Sequence, residues 1–282
     1  MYPRKLELEP LKTYWSEKDF FSERPFDFIH AYSHDNYKHK MHSHQFYEMN
    51  VIVRGSGRHY VEDVNLPASV GDVFVIPPSV MHGYYSDDRI DIFHILIGSA
   101  FFTKYKDELE NSSGFKILFD AEPHLRRHTG KNSNLHLNLS DFGHVKHDLE
   151  LVLSAQNKGQ FALRSALTLS LILKLSGILI DTVKDGLHHY DSAEILSVMD
   201  FINSNLDDKI TLDTLADRVG VSKATLSRRF ISSLGVSPLK YVVDCRVLKA
   251  KDLISQGNLS RTEIAQVCGF FDVSHMNKYL KI

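Results

Sequence analysis

Early in the chain, three side chains that can bind a metal or a polar ligand occur close together, at His42, His44 and Glu48. Their positions share parity, so on a β-strand all three project from the same face. Imidazole and carboxylate groups bind Zn, Mn, Fe, Ni and Cu, and ligand type alone does not select among these metals. Without a metal, the same groups and the neighbouring Tyr47 would form a pocket with hydrogen-bonding walls, suited to a sugar or other small polyol.

A second group of polar side chains lies near the other end of the chain, on one face of a predicted helix. Leu226 and Phe230 are four positions apart and define the inner face of a predicted helix over residues 223–233, which Ser222 can cap. The outer face of this helix carries Lys223, Ala224, Ser227 and Arg228. A helix in the major groove reads base edges with such a surface, and arginine is suited to guanine. The alternative is that these residues are the solvated surface of a helical bundle.

A short pattern that occurs twice predicts a pair of helix-turn-helix motifs. Leu215-Ala216 is followed by Gly220, and Ile264-Ala265 is followed by Gly269, so the second copy begins 49 positions after the first. In each copy the small residue lets two helices pack closely, and the glycine allows a sharp turn between them. Two copies in register predict two DNA-reading motifs in one chain.

The segment between the two motifs predicts a single helix. Ser237-Pro238 is a helix start and Gly257 a helix end. A helix of about 18 residues spans roughly 27 Å, close to the ~34 Å repeat of B-DNA. One subunit could therefore bind two successive major grooves.

Charge is distributed unevenly along the 282 residues. The formal net charge is −2, but from Arg218 to the end there are 11 Lys/Arg against 4 Asp/Glu, leaving 22 against 31 in the rest. Basic charge is thus concentrated where the repeated motif lies, as binding to a phosphate backbone requires. With 43% hydrophobic residues, the chain is long enough for two domains with separate cores.

The sequence predicts a cytoplasmic protein that is not inserted in a membrane. Residues 1–10 alternate charge with leucine and lack the apolar core of a signal peptide. The longest apolar stretch, Phe161 to Ile180, contains Arg164 and Lys174, so it is interpreted as a buried helix. The two cysteines, Cys245 and Cys268, are expected to be reduced core residues.

The predicted elements change type along the chain. Residues 25–100 contain short strands rich in Val, Ile, Tyr and Phe, which indicate a barrel or sandwich. The predicted strands cover residues 46–53, 58–61, 73–76 and 90–97. Helices follow near residues 141–156, capped by Ser140, and near 163–183. A linker is predicted over residues 184–191, and helices are predicted from Ser192 onward.

From about Ser192 to the end, the sequence resembles the AraC/XylS family of bacterial transcription regulators. The residues that carry this resemblance are Leu215-Ala216, Val221-Ser222, Leu226-Ser227-Arg228, Phe230, Gly235, Ser237-Pro238, Tyr241, Arg246, Ala250, Leu253, Ile264-Ala265, Gly269-Phe270, Asp272 and Ser274. The resemblance places base-reading positions on Ala224, Ser227 and Arg228 in the first motif, and on Ser274, His275, Asn277 and Lys278 in the second. Ala224 is small for a contacting position. The family has a closing helix after the position of Ile282, so the second motif is expected to lack it.

The N-terminal histidines resemble the two-part signature of the cupin barrel. His-x-His, Glu48 and Gly55 form the first part, and Gly71, Pro77 and His82 form the second, with Ser79 in place of the usual glycine. The resemblance implies that His42, His44, Glu48 and His82 point into a cavity and can hold one divalent metal. The other histidines, including His34 and His59, are interpreted as surface or loop residues. The domain order and the His-x-His region look most like the rhamnose-type regulators, which implies a sugar effector.

Together these observations predict an α+β protein. Residues 1–140 form a cupin-like double-stranded β-barrel that senses the effector, 141–190 a helical dimerisation segment and linker, and 191–282 an all-α DNA-binding domain with two helix-turn-helix motifs. The predicted function is a sugar-responsive transcription regulator, with activation favoured over repression by the family resemblance alone. The predicted partners are promoter DNA, a small-molecule effector and a second copy of the chain, with RNA polymerase as a further candidate.

Two other functions are consistent with the same residues. One is a metal-dependent cupin enzyme with a DNA-binding appendage, although no acid–base residue beyond the metal ligands stands out, so no catalytic residue is assigned. The other is a ligand-binding or interaction protein whose shortened second motif no longer binds DNA.

Overall fold

The computed structural model describes residues 14–35, 39–130, 134–184 and 193–280. The chain forms two compact units, the first made of residues 1–105 and 134–171 and the second of residues 106–133 and 172–282. Within the described residues, all strands lie in the first unit and the second unit is helical. The predicted combination of a β-rich N-terminal part and a helical C-terminal part is therefore confirmed.

The first unit contains a curled sheet whose long central strand is β4. The strands are β1 (Tyr14–Trp15), β2 (Ile29–His34), β3 (His39–His44), β4 (Tyr47–Val61), β5 (Val64–Ser69), β6 (Asp72–Ile76), β7 (His82–Tyr85), β8 (Ile90–Ile97) and β9 (Leu135–His136). The first half of β4 pairs with β6 and β8, and its second half pairs with β5 and β7. The register of the β4–β8 pair shifts between Ile52 and Arg54, where an irregularity of this kind bends a strand.

The remaining strands extend the sheet on both sides of β4. β2 pairs with β8, β3 pairs with β7, β9 pairs with β6, and β1 runs parallel to β3. All the residues of β6 and β8 are buried, so these strands form the core of the unit. Polar residues within them must find partners inside the protein.

The helices complete both units. They are α1 (Ser99–Lys104), α2 (Lys106–Glu110), α3 (Ser113–Lys116), α4 (Glu122–Thr129), α5 (Leu139–Asn157), α6 (Phe161–Lys184), α7 (Ala193–Ser204), α8 (Leu212–Arg218), α9 (Lys223–Leu234), α10 (Pro238–Gln256), α11 (Arg261–Val267) and α12 (Val273–Leu280). A single π-helical turn, Ile117–Ala121, joins α3 to α4.

α6 is the apolar helix that the sequence analysis singled out. By length and composition its segment Phe161–Thr182 could cross a membrane, and 44% of its most apolar window is buried inside the protein. Near its start, the buried Arg164 donates a hydrogen bond to Asp27 Oδ1 at 2.8 Å. Further along, Leu171 and Leu175 are fully buried. These contacts agree with its interpretation as a core helix.

Several predicted boundaries differ from the structure. The predicted strands 46–53 and 58–61 are one strand, because the intervening residues stay in the ladders of β4. Asn138, not Ser140, caps α5, with Asn138 Oδ1 accepting from the Asp141 amide at 2.9 Å. The predicted division at residue 140 is also crossed, since residues 106–133 group with the C-terminal unit. Apart from Lys184, the predicted linker lies outside the described residues.

Candidate effector site and DNA-binding surfaces

Glu48, near the start of β4, lies at the centre of a cluster of buried imidazoles. Its Oε2 lies 3.0 Å from His44 Nε2, 3.2 Å from His82 Nε2 and 4.0 Å from His42 Nε2. The strand register accounts for part of this, because His42 on β3 pairs with His82 on β7. The structure therefore brings together the four side chains that the cupin resemblance implied, with one ligand atom of each within 4.8 Å of the others.

Hydrogen bonds keep Glu48 ionised within this cluster. Burial favours the neutral acid, but hydrogen bonds from His44, His82 and His94 hold the pKa of Glu48 well below its ordinary value. Burial also lowers the pKa of His82, against the attraction of Glu48. At neutral pH the site therefore contains a carboxylate beside a neutral imidazole, which are the protonation states that a metal requires of its ligands.

His94 on β8 is a fifth member of the cluster, and the sequence analysis missed it. Its Nδ1 lies 2.7 Å from Glu48 Oε1, and its ring stacks on Tyr32 with 4.6 Å between centroids. The ring is fully buried. The available signal was a lone imidazole among the apolar residues from Ile92 to Ile97, where a buried polar group needs a partner.

The same face of the sheet carries further polar groups. Asn50 Nδ2 donates to the Tyr84 hydroxyl at 3.1 Å, and the His59 ring stacks on Tyr84 with 4.5 Å between centroids. His59 has no exposed surface, so the prediction that it is a surface or loop residue was wrong. Its position opposite Tyr84 in the β4–β7 ladder turns it inward. The inner face thus combines imidazole, amide, hydroxyl and carboxylate groups.

Tyr47 and Ser79 are two further residues that the sequence analysis placed at this site. The expected place of Tyr47 in the pocket is corrected, because adjacent residues of a strand point to opposite faces and the Tyr47 ring packs on Phe102 at 4.9 Å. Ser79, which stands where the cupin signature has glycine, has a φ of 62° in the left-handed region. The backbone at this position therefore keeps the conformation that favours glycine.

The first helix-turn-helix motif consists of α8 and α9. Thr211 caps α8. Ser222 caps α9, as predicted, by accepting a hydrogen bond from the Thr225 amide at 3.1 Å. Gly220 makes the turn between the helices with a φ of 67°. On the inner side of the motif, Leu215, Ala216, Leu226 and Phe230 are all buried.

The outer surface of α9 presents the predicted base-reading residues. Lys223, Ala224 and Arg228 are exposed and Ser227 is half-buried. Lys223 Nζ lies 2.9 Å from Asp213 Oδ1 on α8. Within the described part of the chain, Arg228 makes no ion pair, so its guanidinium is available to a base or a phosphate.

The second motif consists of α11 and α12. Ser260 and Glu263 form a capping box at the start of α11, and Gly269 makes the turn with a φ of 74°. Ile264, Ala265, Phe270 and Met276 form the core of this motif with Cys268 and Ala250. The local pattern of the first motif is therefore repeated.

The four predicted residues of α12 are placed differently from one another. Ser274 and Lys278 are exposed, whereas His275 and Asn277 are half-buried. His275 Nδ1 accepts a hydrogen bond from the Phe271 amide at 3.4 Å, and the ring packs on Phe270 at 5.6 Å. Ser274 and Lys278 therefore provide the most accessible part of this surface.

α10 joins the two motifs. Ser237 caps it, Pro238 begins it, and Gly257 ends it with a φ of 69°, all as predicted. Its 19 residues span roughly 28 Å at about 1.5 Å per residue. Arg246 on α10 donates to Leu206 O at 2.9 Å and to Asp208 O at 2.7 Å, which anchors the helix to the segment before α8.

Comparison with known proteins agrees with this arrangement. A family model described as an AraC-like ligand binding domain matches residues 26–172, and one described as a helix-turn-helix domain matches residues 215–282. The transcriptional activator RhaS of Escherichia fergusonii is 25% identical over 236 residues, covering 84% of this chain and 81% of RhaS. The transcriptional regulator YfiF of Bacillus subtilis is 27% identical over 245 residues, covering 84% and 73%.

Among solved structures, the chain is similar to ToxT from Vibrio cholerae O395, with a TM-score of 0.47 and 13% identity over 90% of this chain and 93% of ToxT. The names of the relatives give no support to the alternative of a metal-dependent enzyme. The AraC-like ligand-binding model alone covers more than half of the sequence. The chain therefore belongs to the AraC/XylS family, with rhamnose-type regulators among its relatives, and is a DNA-binding transcription regulator with an N-terminal ligand-binding domain.

Proposed function

We propose that this protein is a cytoplasmic, homodimeric transcription activator whose effector is a sugar or a similar small polyol. The observation that carries the proposal is the buried polar face around Glu48, where four imidazoles surround one carboxylate. A buried concentration of donors and acceptors suits a ligand with many hydroxyl groups. The stacked Tyr32–His94 and His59–Tyr84 pairs supply flat surfaces for its C–H faces.

We further propose that the curled sheet functions as a cupin-like barrel around this ligand. A divalent metal fits the donor set, because His42, His44, Glu48 and His82 offer ligand atoms within 4.8 Å of one another in a buried place. A metal bound there would supply Lewis acidity toward effector oxygens. His94 would then orient Glu48 through its Nδ1, since a hydrogen bond to a ligating carboxylate fixes its direction.

Dimer formation is assigned to α5 and α6. Leu151 on α5 is 40% exposed, and Leu163 and Leu173 on α6 are 49% and 36% exposed. Large apolar side chains that stay accessible on adjoining helices are suited to a contact with a second copy. Activation is proposed because related RhaS proteins are named transcriptional activators, and RNA polymerase is the partner that activation requires.

The effector controls DNA binding only if it favours one arrangement of the protein over another. The proposal is that hydrogen bonds from the effector to the Glu48 cluster provide this preference. DNA sites selected from a random library would serve as the operator. Binding to that operator would then be measured by fluorescence anisotropy with and without a panel of sugars that includes rhamnose.

At least one sugar is expected to change the operator affinity of the wild-type chain by about 5–150-fold, the usual range of allosteric coupling. Glu48→Gln should remove that response, because the neutral amide loses the charge-assisted hydrogen bonds of the cluster. Glu23→Gln, an exposed position outside α5 and α6, is the matched control and should respond like the wild type. A response that persists in a folded Glu48→Gln chain would contradict the proposed site.

A further inference from the structure

α4 and α10 of the second unit bring together another group of side chains able to bind a metal, separate from the cluster around Glu48. His124 and His128 are four positions apart on α4, and their rings lie 4.1 Å apart between centroids. His128 Nε2 lies 2.9 Å from Asp244 Oδ2 on α10. One ligand atom from each of the three residues lies within 4.8 Å of the others.

We propose that His124, His128 and Asp244 form a zinc site that fastens α4 to α10, the helix between the two DNA-reading motifs. Two imidazoles at i and i+4 of one helix are a common zinc-binding pair. A carboxylate from a second helix adds a third ligand, and water can complete a tetrahedron. The site is independent of the Glu48 cluster and of the proposed effector.

The hydrogen bonding of the two histidines supports this assignment. His128 Nδ1 donates to His124 O at 2.9 Å, and Nε2 is the ring nitrogen that faces Asp244 Oδ2. A backbone carbonyl that receives the second ring N–H is typical of metal-binding histidines. His128 Nε2 and Asp244 Oδ2, already 2.9 Å apart, are placed as neighbouring ligands of one ion.

His124 provides the second line of support. It is 3% exposed, and its Nε2 is a buried atom without a hydrogen-bond partner among the described residues. An unpaired buried polar atom costs free energy, so such atoms are rare unless a ligand uses them.

The ligand types, two imidazoles and a single carboxylate, favour a metal that prefers nitrogen ligands. Lys240 pairs with the other oxygen of Asp244, and Arg127 lies close enough to act on His124. A site with one carboxylate among these cations disfavours Mg²⁺ and Ca²⁺, which need several oxygen ligands. The side chains of His128 and Asp244 are 21% and 13% exposed, so an ion can enter from solvent.

The test counts zinc bound to the full chain by competition with a chromophoric chelator. Wild type should bind one more equivalent of zinc than His128→Gln or Asp244→Asn. Any zinc bound at the Glu48 cluster would be the same in all three chains. His147→Gln, which changes an exposed histidine of α5, should match wild type. His128→Cys should regain the equivalent, because a thiolate also binds zinc.

Thermal unfolding provides a second measurement. Zinc should raise the unfolding temperature of wild type and His128→Cys by more than it raises that of His128→Gln, since each ion that binds only the folded state adds to its stability. Equal zinc contents in wild type and a folded His128→Gln chain would overturn the proposal. If that variant fails to fold by circular dichroism, equal contents in wild type and Asp244→Asn would overturn it by the same criterion.

Discussion

At the scale of single residues, Ser79 is held in a backbone conformation that favours glycine. Its φ is 62°, and its hydroxyl is buried without a hydrogen-bond partner among the described residues. The left-handed conformation costs a non-glycine residue about 1–2 kcal/mol, and the extra freedom of glycine in the unfolded chain offsets part of any gain. The backbone bond from the Ser79 amide to His44 O does not depend on the side chain.

Ser79→Gly is therefore expected to raise the free energy of unfolding of the first unit by about 1 kcal/mol. The measurement is urea unfolding followed by the fluorescence of Trp15, which is the only tryptophan of the chain and lies in β1. Ser79→Ala is the control, since it removes the hydroxyl but keeps the strained φ. If alanine stabilises as much as glycine does, backbone strain is not the cause.

Residues of the candidate site could be predicted where a local sequence pattern identifies them, and not where their position depends on strand pairing. His42, His44 and Glu48 share a strand parity that the sequence displays directly, and the cupin resemblance added His82. His94 depends on the pairing of β8 with β4, which no local pattern contains. Tyr47 was placed in the pocket because it is next to Glu48 in the sequence. Side chains of a strand alternate between its two faces, however, and the Tyr47 ring therefore points toward Phe102.

At the scale of elements, the two helix-turn-helix turns share a conformation but differ in their surroundings. Gly220 and Gly269 have φ values of 67° and 74°. A Cβ added at Gly220 would meet nothing within 4 Å, whereas one added at Gly269 would lie 2.0 Å from Leu206 O. Both turns therefore need glycine for its left-handed backbone conformation, and the second turn also has no room for a Cβ.

Gly220→Ala should lower the free energy of unfolding of the second unit by about 1–2 kcal/mol, the cost of the left-handed conformation. Gly269→Ala should cost a further ~1–3 kcal/mol, because the backbone carbonyl of Leu206 cannot move aside as a flexible side chain can. Urea unfolding followed by far-ultraviolet circular dichroism measures both. Equal losses for the two variants would show that the Leu206 contact relaxes freely.

Helices with strong end signals were predicted well where the segment around them was also predicted to be helical. α9 and α10 have a serine cap at one end and a glycine after the other, and both were predicted within two residues of their observed bounds. α4 also has such signals, with Pro123 in its first turn and Gly130 after its end, but its eight residues lie in a segment assigned to the β domain. β4 was divided in two because its glycines resemble a turn, although they stay paired in the sheet.

At the scale of the whole molecule, the two compact units are interleaved along the sequence. Residues 106–133 group with residues 172–282, and residues 134–171 group with the sheet. The sequence pattern changes from strand-like to helical near residue 140, but the chain passes from one unit to the other after residues 105, 133 and 171. Only contacts such as that of Lys116 Nζ with Asp200 Oδ2, at 2.5 Å within the second unit, reveal the grouping.

We expect one chain to place its two helix-turn-helix motifs on successive turns of DNA. α9 and α12 carry exposed residues of the predicted type, and α10 of roughly 28 Å lies between the motifs. Arg228→Ala should cost about 1–3 kcal/mol on the operator and relax the preference at one base position. Lys278→Ala should weaken operator binding through the second motif.

Methylation protection on the selected operator is the measurement that decides this point. The account predicts two protected major-groove segments about 10 base pairs apart for each bound chain, with Arg228→Ala losing one segment and Lys278→Ala losing the other. Protection of a single segment per chain, or loss of the same segment in both variants, would contradict it.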